Sequence, residues 1–416
     1  MNLLQYGLLG FPLAFVSLPL YVLLPHFYAE NFGTALWALG AVLLAARALD
    51  ALVDPLIGRW VDRLFAAGRN SVLRVAALAA LVMAVGFAAL WFPFPGTAWL
   101  RLGWLGLALL LTYAGFSTVS IVHQAWGARR GGSGEQRARI VAARESAALA
   151  GVLMASALPA IAGFAAMSAV LAGALVLGIV ALARSGAPVA TVRVPGRTAA
   201  HRLASPWSYP SFRALLLVFA VNGIAAAIPA TLLPFFVHDR LQSGQWEPLY
   251  LGIYFAFAAV GMPLWVRIIR EVGLSRAWLL GMLLSIIAFA GTAVLHAGDG
   301  ALFALICAAS GFALGADLVV PSALLAGVVR AIGAAGAGEG RFFGWWTCTS
   351  KLNLALAAGL ALPALSLAGY SVGSQSEQGL FALALAYAAL PCLLKLCAAA
   401  ALWRAQSINV FLGEPA

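Results

Sequence analysis

The chain has 416 residues, of which 63% are apolar and only 9% charged, with 25 Lys and Arg against 14 Asp and Glu for a formal net charge of +11. An ordinary soluble domain is about 25% charged, and the apolar runs here are too long and too many for one globular core. Composition therefore points to an all-α polytopic membrane protein and excludes a separate soluble catalytic domain; the basic excess belongs to membrane topology and not to nucleic acid.

Runs of about 20 apolar residues predict twelve spanning helices, near residues 5–28, 35–59, 73–93, 98–126, 141–162, 164–184, 211–236, 248–268, 276–296, 301–329, 343–368 and 379–403. Span 1 lacks a basic leading region and contains Pro12, Pro19 and Pro25, so it reads as a retained helix and not a signal peptide. Span 2 carries Arg47, Asp50 and Asp54, followed by Pro55 and Gly58. On a helix these three charges share one face. Each costs roughly 2.5 to 3.5 kcal/mol at the centre of a spanning helix, so they face a wet cavity, a bound ion, or one another in an internal salt bridge. Span 4 contributes Ser117, Ser120, His123 and Gln124. His123 reads as a packed or hydrogen-bonded histidine, and Arg144 with Glu145, early in span 5, reads as an exposed pair at a helix start.

The long polar stretch from Arg184 to Pro210 divides the chain into a six-helix bundle at 1–184, a cytoplasmic linker at 185–210 and a second six-helix bundle at 211–416. A weak echo between Ser17–Tyr28 and Ala227–His238 suggests two similar bundles, an arrangement that places a site at their interface and works by alternating access. Pro19, Pro55, Pro229, Pro263 and Pro321 are expected to interrupt spans 1, 2, 7, 8 and 10. Within the second half, the polar residues in spans are Asn222 in span 7, Asp317 in span 10, and Thr347, Lys351 and Asn353 in span 11. Lys351 has apolar helix on both sides and needs an acidic partner, for which Asp50 or Asp54 is the obvious candidate; snorkelling to an interface is the other reading.

Nineteen basic residues fall in loops on one side of this topology and only Arg101 and Arg240 on the other. The positive-inside rule then puts both termini in the cytoplasm, and an arginine-, alanine- and glycine-rich composition suggests a bacterial inner membrane. Cys307, Cys348, Cys392 and Cys397 all lie in spans without paired spacing, so neither a disulfide framework nor a metal site is expected. Gly369-Tyr-Ser-Val-Gly373 matches a nucleophile-elbow pattern but follows a helix in an outer loop, without the strand-turn-helix setting that such a serine needs. No catalytic residue and no cofactor is expected.

The stretch Arg47-Ala-Leu-Asp-Ala-Leu-Val-Asp-Pro-Leu-Ile-Gly-Arg-Trp-Val-Asp-Arg63 resembles the signature of the glycoside-pentoside-hexuronide:cation symporters, the melibiose permease-like branch of the major facilitator superfamily. Gly340-Arg-Phe-Phe-Gly344 through Lys351 resembles that family's span 11, and Arg137-Ala-Arg139 with Arg144 and Gly151 its span 4–5 loop and span 5. The resemblance implies a major facilitator fold. It implies that Asp50 and Asp54 bind a coupling cation with Ser117 as a hydroxyl contributor, that Lys351 is the coupling cation of the protein with Arg47 beside the carboxylates, and that Gly58, Asp62 and Arg63 form a cytoplasmic gating turn. Arg144, Ser120, Gln124, Thr347 and Asn222 are the candidate substrate-binding residues.

The departures narrow the expectation. Ala14 and Ser120 stand where sugar-binding members carry acidic residues, Val53 where a cation-site asparagine is found, and Gln124 and Val320 where tryptophans stack on sugar. Fewer hydroxyl acceptors argue against a simple sugar, and the lost asparagine oxygen weakens a sodium site, so sodium and a proton are both open as coupling ion. Arg144 would suit an amphipathic or anionic solute. The sequence thus leads to a monomeric, cation-coupled secondary transporter of a small organic solute, in contact with the lipid bilayer. The alternatives are a lipid or drug exporter or flippase of the same fold, or a non-transporting membrane partner or sensor.

Overall fold

A computed structural model describes residues 2–94, 96–188, 204–370 and 376–407, and within these the regular structure is entirely helical. Most of the linker expected at 185–210 and the Ser371–Gly373 part of the elbow-like pattern lie outside the described residues. The first span consists of α1 (Leu3–Gly7), α2 (Gly10–Leu18), a π-helical turn at Pro19–Leu23 and α3 (Leu24–Phe32). There follow α4 (Leu36–Ala67), α5 (Arg69–Trp91), α6 (Ala98–Ala128) and α7 (Gly134–Arg184). The second half holds α8 (Pro210–Phe235), α9 (Glu247–Val272), α10 (Leu274–Ala290), α11 (Gly300–Ala331), α12 (Glu339–Leu367), α13 (Glu377–Ala384) and α14 (Leu390–Ser407). Nine stretches of these helices are long and apolar enough to cross a membrane. The first span, α4 and α12 complete the twelve expected from the sequence.

Local chemistry sets the boundaries. Thr97 accepts the Leu100 amide at the start of α6, and Ser133 with Gln136 closes a reciprocal capping box at the start of α7. Spans 5 and 6 are the two halves of α7, which meet at Gly163, where φ is +76°; that conformation is open to glycine and strained for other residues. Of the five prolines expected to break helices, only Pro19 coincides with a departure from α-helix. Pro55, Pro229, Pro263 and Pro321 sit inside continuous helices, as spanning helices tolerate proline when neighbours re-satisfy the freed carbonyl.

The chain divides into two compact units, one of residues 1–203 with 332–348 and the other of 204–331 with 349–416. This differs from an assignment of 211–416 to one bundle in a single segment, 332–348, which includes the first turns of α12. In the first unit α2 packs on α7, and α5 and α4 pack on α6, around a core that includes Phe15, Phe87, Trp91 and Trp126. In the second, α11 packs on α9 and α10, and α14 on α8, around Phe236, Phe303 and Tyr387. Lipid is as apolar as these side chains, so helix association rests on close packing and buried polar contacts.

Candidate functional site

The buried polar groups of the first unit fall into three sets. On α4, Asp50 and Asp54 are both buried, Asp54 completely. The Ser117 hydroxyl, on α6 and also fully buried, donates to Asp50 Oδ1 at 2.8 Å. Arg47, half-buried one turn before Asp50, lies within electrostatic range of Asp50 and Tyr113. The structure therefore joins Asp50 to Ser117 as the sequence resemblance implied, and offers carboxylate and hydroxyl oxygens in one apolar setting. Hard oxygen donors suit sodium or a proton, but the side chain before Asp54 is Val53, which supplies no oxygen. No group of three or more His, Cys, Asp or Glu placed to hold a metal occurs among the described residues.

The second set surrounds Gln124. Its Nε2 donates to Ser120 Oγ at 3.0 Å and to Thr347 Oγ1 at 3.4 Å, and the Thr347 hydroxyl donates to the Phe343 carbonyl at 2.9 Å. Ser120, Gln124 and Thr347 thus form one chain of neutral donors and acceptors. Arg144 lies elsewhere than at an exposed helix start. Its side chain and that of Glu145 are 12% and 18% exposed, and Arg144 Nε donates to Glu145 Oε1 at 2.8 Å. The guanidinium also engages Tyr6, whose hydroxyl donates to the His123 carbonyl at 3.0 Å. His123 is fully buried with Nε2 2.8 Å from the Tyr6 carbonyl, a hydrogen-bonded packing residue. The exposed-pair reading of Arg144 fails because α1, with Tyr6, covers it.

The third set is at the end of α4. The Asp62 carboxylate accepts the backbone N–H of Gly340 at 2.7 Å and of Arg341 at 3.0 Å. These are first-turn amides of α12, which have no partner within their own helix and carry the positive end of its dipole. Gly58, one turn earlier on α4, makes the approach possible: a Cβ there would stand 2.1 Å from the Gly340 carbonyl oxygen and 3.2 Å from the Gly344 Cα. Arg63 takes no part. It is exposed and has no ion pair or side-chain hydrogen bond among the described residues. The guanidinium groups at Asp62 are those of Arg341, with Nε 3.7 Å from Oδ2, and of Arg129, 3.8 Å from Oδ1, 3.0 Å from Glu339 and 4.0 Å above the Phe65 ring. Burial pulls the Arg129 guanidinium below its ordinary value, against the attraction of Glu339 and Asp62.

In the second unit, Asn222 is buried and its amide is engaged at both ends. Nδ2 donates to Asp317 Oδ1 at 3.1 Å, and Oδ1 accepts from Lys395 Nζ at 3.0 Å. Lys395 also donates to Asp317 Oδ2 at 2.6 Å, and Trp278 Nε1 to Asp317 Oδ1 at 2.8 Å. Lys395 and Trp278 were not among the sequence candidates. The available signal was that Lys395 is one of two lysines in the chain and, like Lys351, stands in an apolar helix. Lys351 lies one turn beyond Thr347 on α12, past residue 348 where that helix passes to the second unit.

A family profile described as MFS/sugar transport protein matches residues 5–409. No curated protein matches the chain. Among solved structures, a bacterial homologue of the iron transporter ferroportin is 17% identical with a TM-score of 0.72, covering 98% of this chain and 100% of its own. The fucose:proton symporter of E. coli is 14% identical with a TM-score of 0.64, covering 94% and 98%. A human organic anion transporter is 20% identical with a TM-score of 0.65, covering 96% and 98%. At these identities the likeness concerns the fold, a polytopic all-helical architecture shared over nearly the whole chain.

Proposed function

The chain belongs to the MFS/sugar transport protein family, which makes it a multi-pass membrane transporter and not an enzyme, and from that premise we propose that it couples a small organic solute to a cation by alternating access. Asp50 and Asp54 take the cation, sodium or a proton, with Ser117 as a further oxygen. Lys351 and Arg47 are the protein's own cations that compete for these carboxylates when the cation is absent, so that cation binding changes which state of the carrier is favoured. The observation that carries this reading is the buried Asp50–Ser117 hydrogen bond beside the fully buried Asp54. Buried carboxylates of this kind mark ion pathways in membrane proteins.

Ser120, Gln124 and Thr347 supply the solute contacts, and their linked neutral donors and acceptors suit an uncharged, hydroxyl-bearing solute of the sugar type. The neutralisation of Arg144 by Glu145 supports this over the anionic solute that the sequence suggested; Arg144 then positions α1 and α7 through Tyr6. Asn222 contributes from the second unit by ordering Asp317 and Lys395. Gly58 and Asp62 form the gating latch at the end of α4, with Arg129 and Glu339 in the role expected of Arg63. The loop charges support both termini in the cytoplasm, and the arginine-, alanine- and glycine-rich composition supports a bacterial inner membrane.

The test is the unfolding temperature of the purified protein with sodium replaced by choline at constant ionic strength, for the native chain and for Asp54→Asn, repeated across pH. A ligand that binds only the folded state raises that temperature by mass action. Stabilisation by sodium that Asp54→Asn abolishes supports sodium coupling; a pH dependence that Asp54→Asn removes, without a sodium effect, supports a proton. The absence of both overturns the cation site and leaves an uncoupled exporter or flippase, or a non-transporting partner.

A further inference from the structure

Within the second unit the Asp317–Lys395 pair borders a cavity of about 160 Å³. The other walls are mostly apolar and include Leu233, Phe255, Phe289 and Phe303. Hydrogen bonding at the pair is incomplete. Of the three N–H groups of Lys395, one goes to Asn222 and one to Asp317. Asp317 accepts from Asn222, Trp278 and Lys395, which leaves one acceptor position of about four on the carboxylate. The side chains of Lys395 and Asp317 are 8% and 10% exposed, and both line the cavity, as does Tyr254, whose hydroxyl has no hydrogen-bond partner among the described residues.

We infer that this cavity is a binding site for a small neutral aromatic alcohol of the phenol type, its ring among the phenylalanines and its hydroxyl at the Asp317–Lys395 pair. Three arguments select that chemistry. An apolar cavity of about 150 Å³ takes up a benzene-sized molecule. The pair sums to zero charge, so a charged ligand would leave a net charge in an apolar interior at high cost. A hydroxyl both accepts and donates, which matches one spare N–H on Lys395 and one spare acceptor on Asp317. The site lies wholly in the second unit; it shares Asn222 with the solute set proposed above and includes none of the cation or solute residues proposed in the first unit.

The test follows thermal unfolding by loss of helical ellipticity, at increasing phenol and, separately, benzene, for the native chain, Ala226→Phe and Lys395→Met. Ala226 lines the cavity and has no polar side-chain group, so Ala226→Phe fills the space without removing a hydrogen-bonding group of the cluster. The expected result is a saturable rise in unfolding temperature with phenol, half-maximal at a concentration about tenfold lower than for benzene, as one charge-assisted hydrogen bond allows. Ala226→Phe abolishes the rise for both compounds, and Lys395→Met removes the preference for phenol. No saturable effect in the native chain, or an equal effect in Ala226→Phe, overturns the inference and leaves the spare hydrogen-bonding positions to water. Ala226→Phe decides the matter even where Lys395→Met does not fold.

Discussion

Gly58→Ala is the smallest change that separates α4 from α12. The new Cβ would stand 2.1 Å from the Gly340 carbonyl oxygen and 2.9 Å from its carbon, both backbone atoms, where ordinary contact begins at 3.4 Å. Neither atom can rotate away, so the helices part by about 1 Å, and overpacking of this kind costs about 1 to 3 kcal/mol. The same displacement stretches the Asp62 bonds to Gly340 and Arg341, now 2.7 and 3.0 Å, beyond useful hydrogen-bonding range, with a further loss of about 1 kcal/mol or more for each. The total of at least about 3 kcal/mol shifts the population of the detached state roughly a hundredfold. Cys348 reports it, being buried on α12 and 4% exposed. With Cys307, Cys392 and Cys397 replaced by alanine, its reaction with a small thiol reagent is expected to quicken about a hundredfold in Gly58→Ala. An unchanged labelling rate together with an unchanged unfolding temperature would refute the steric argument.

The Arg129–Glu339 pair, with both side chains 2% exposed, predicts strong coupling. Arg129→Gln or Glu339→Gln alone leaves a buried charge uncompensated and is expected to destabilise by about 3 to 5 kcal/mol, while the double variant loses less than the sum; denaturant unfolding of the four proteins measures this, and strict additivity counts against the latch. At the other end of α12, the Tyr370 hydroxyl donates to Asp239 Oδ2, and burial, then Asp239, raises its pKa above the ordinary 10. A raised folded-state value gives stability that is complete below pH 10 and is lost as pH climbs toward the folded value. Tyr370→Phe should therefore flatten the alkaline limb of the stability profile above about pH 10, and an identical limb in both proteins removes Tyr370 as its source.

The twelve-span architecture was legible because apolar length is a one-dimensional property that any window along the chain detects. Asp50 and Ser117 were legible for a different reason, since charges and hydroxyls inside apolar runs are conspicuous and a family signature linked two runs far apart in sequence. What no window shows is which partner meets a buried charge across the bundle. The resemblance pairs Arg63 with Asp62, yet adjacent helix positions point about 100° apart, and the guanidinium groups near Asp62 are those of Arg341 and Arg129 from other helices. Lys351 and Lys395 are equally anomalous in sequence, and only tertiary geometry shows that Lys395 has Asp317 and Asn222 within reach. The exposed-pair reading of Arg144 fails because a helix start is exposed only when nothing packs over it, and α1 packs on α7 there.

Helix α12 carries Gly340, Gly344 and Thr347 on the first unit's side of residue 348 and Lys351 on the second's. Its hydrogen-bonded ladder makes it a shaft whose angular phase is fixed along its length. One alanine inserted after Cys348 would leave every side chain in place chemically, yet turn Lys351 by about 100° and advance it by about 1.5 Å relative to the glycines. Inserting four residues, close to one full turn, would restore the phase with a longer shaft. A one-residue insertion in α12 is therefore expected to rotate Lys351 out of phase with Gly340 and Gly344, a change that no single substitution makes.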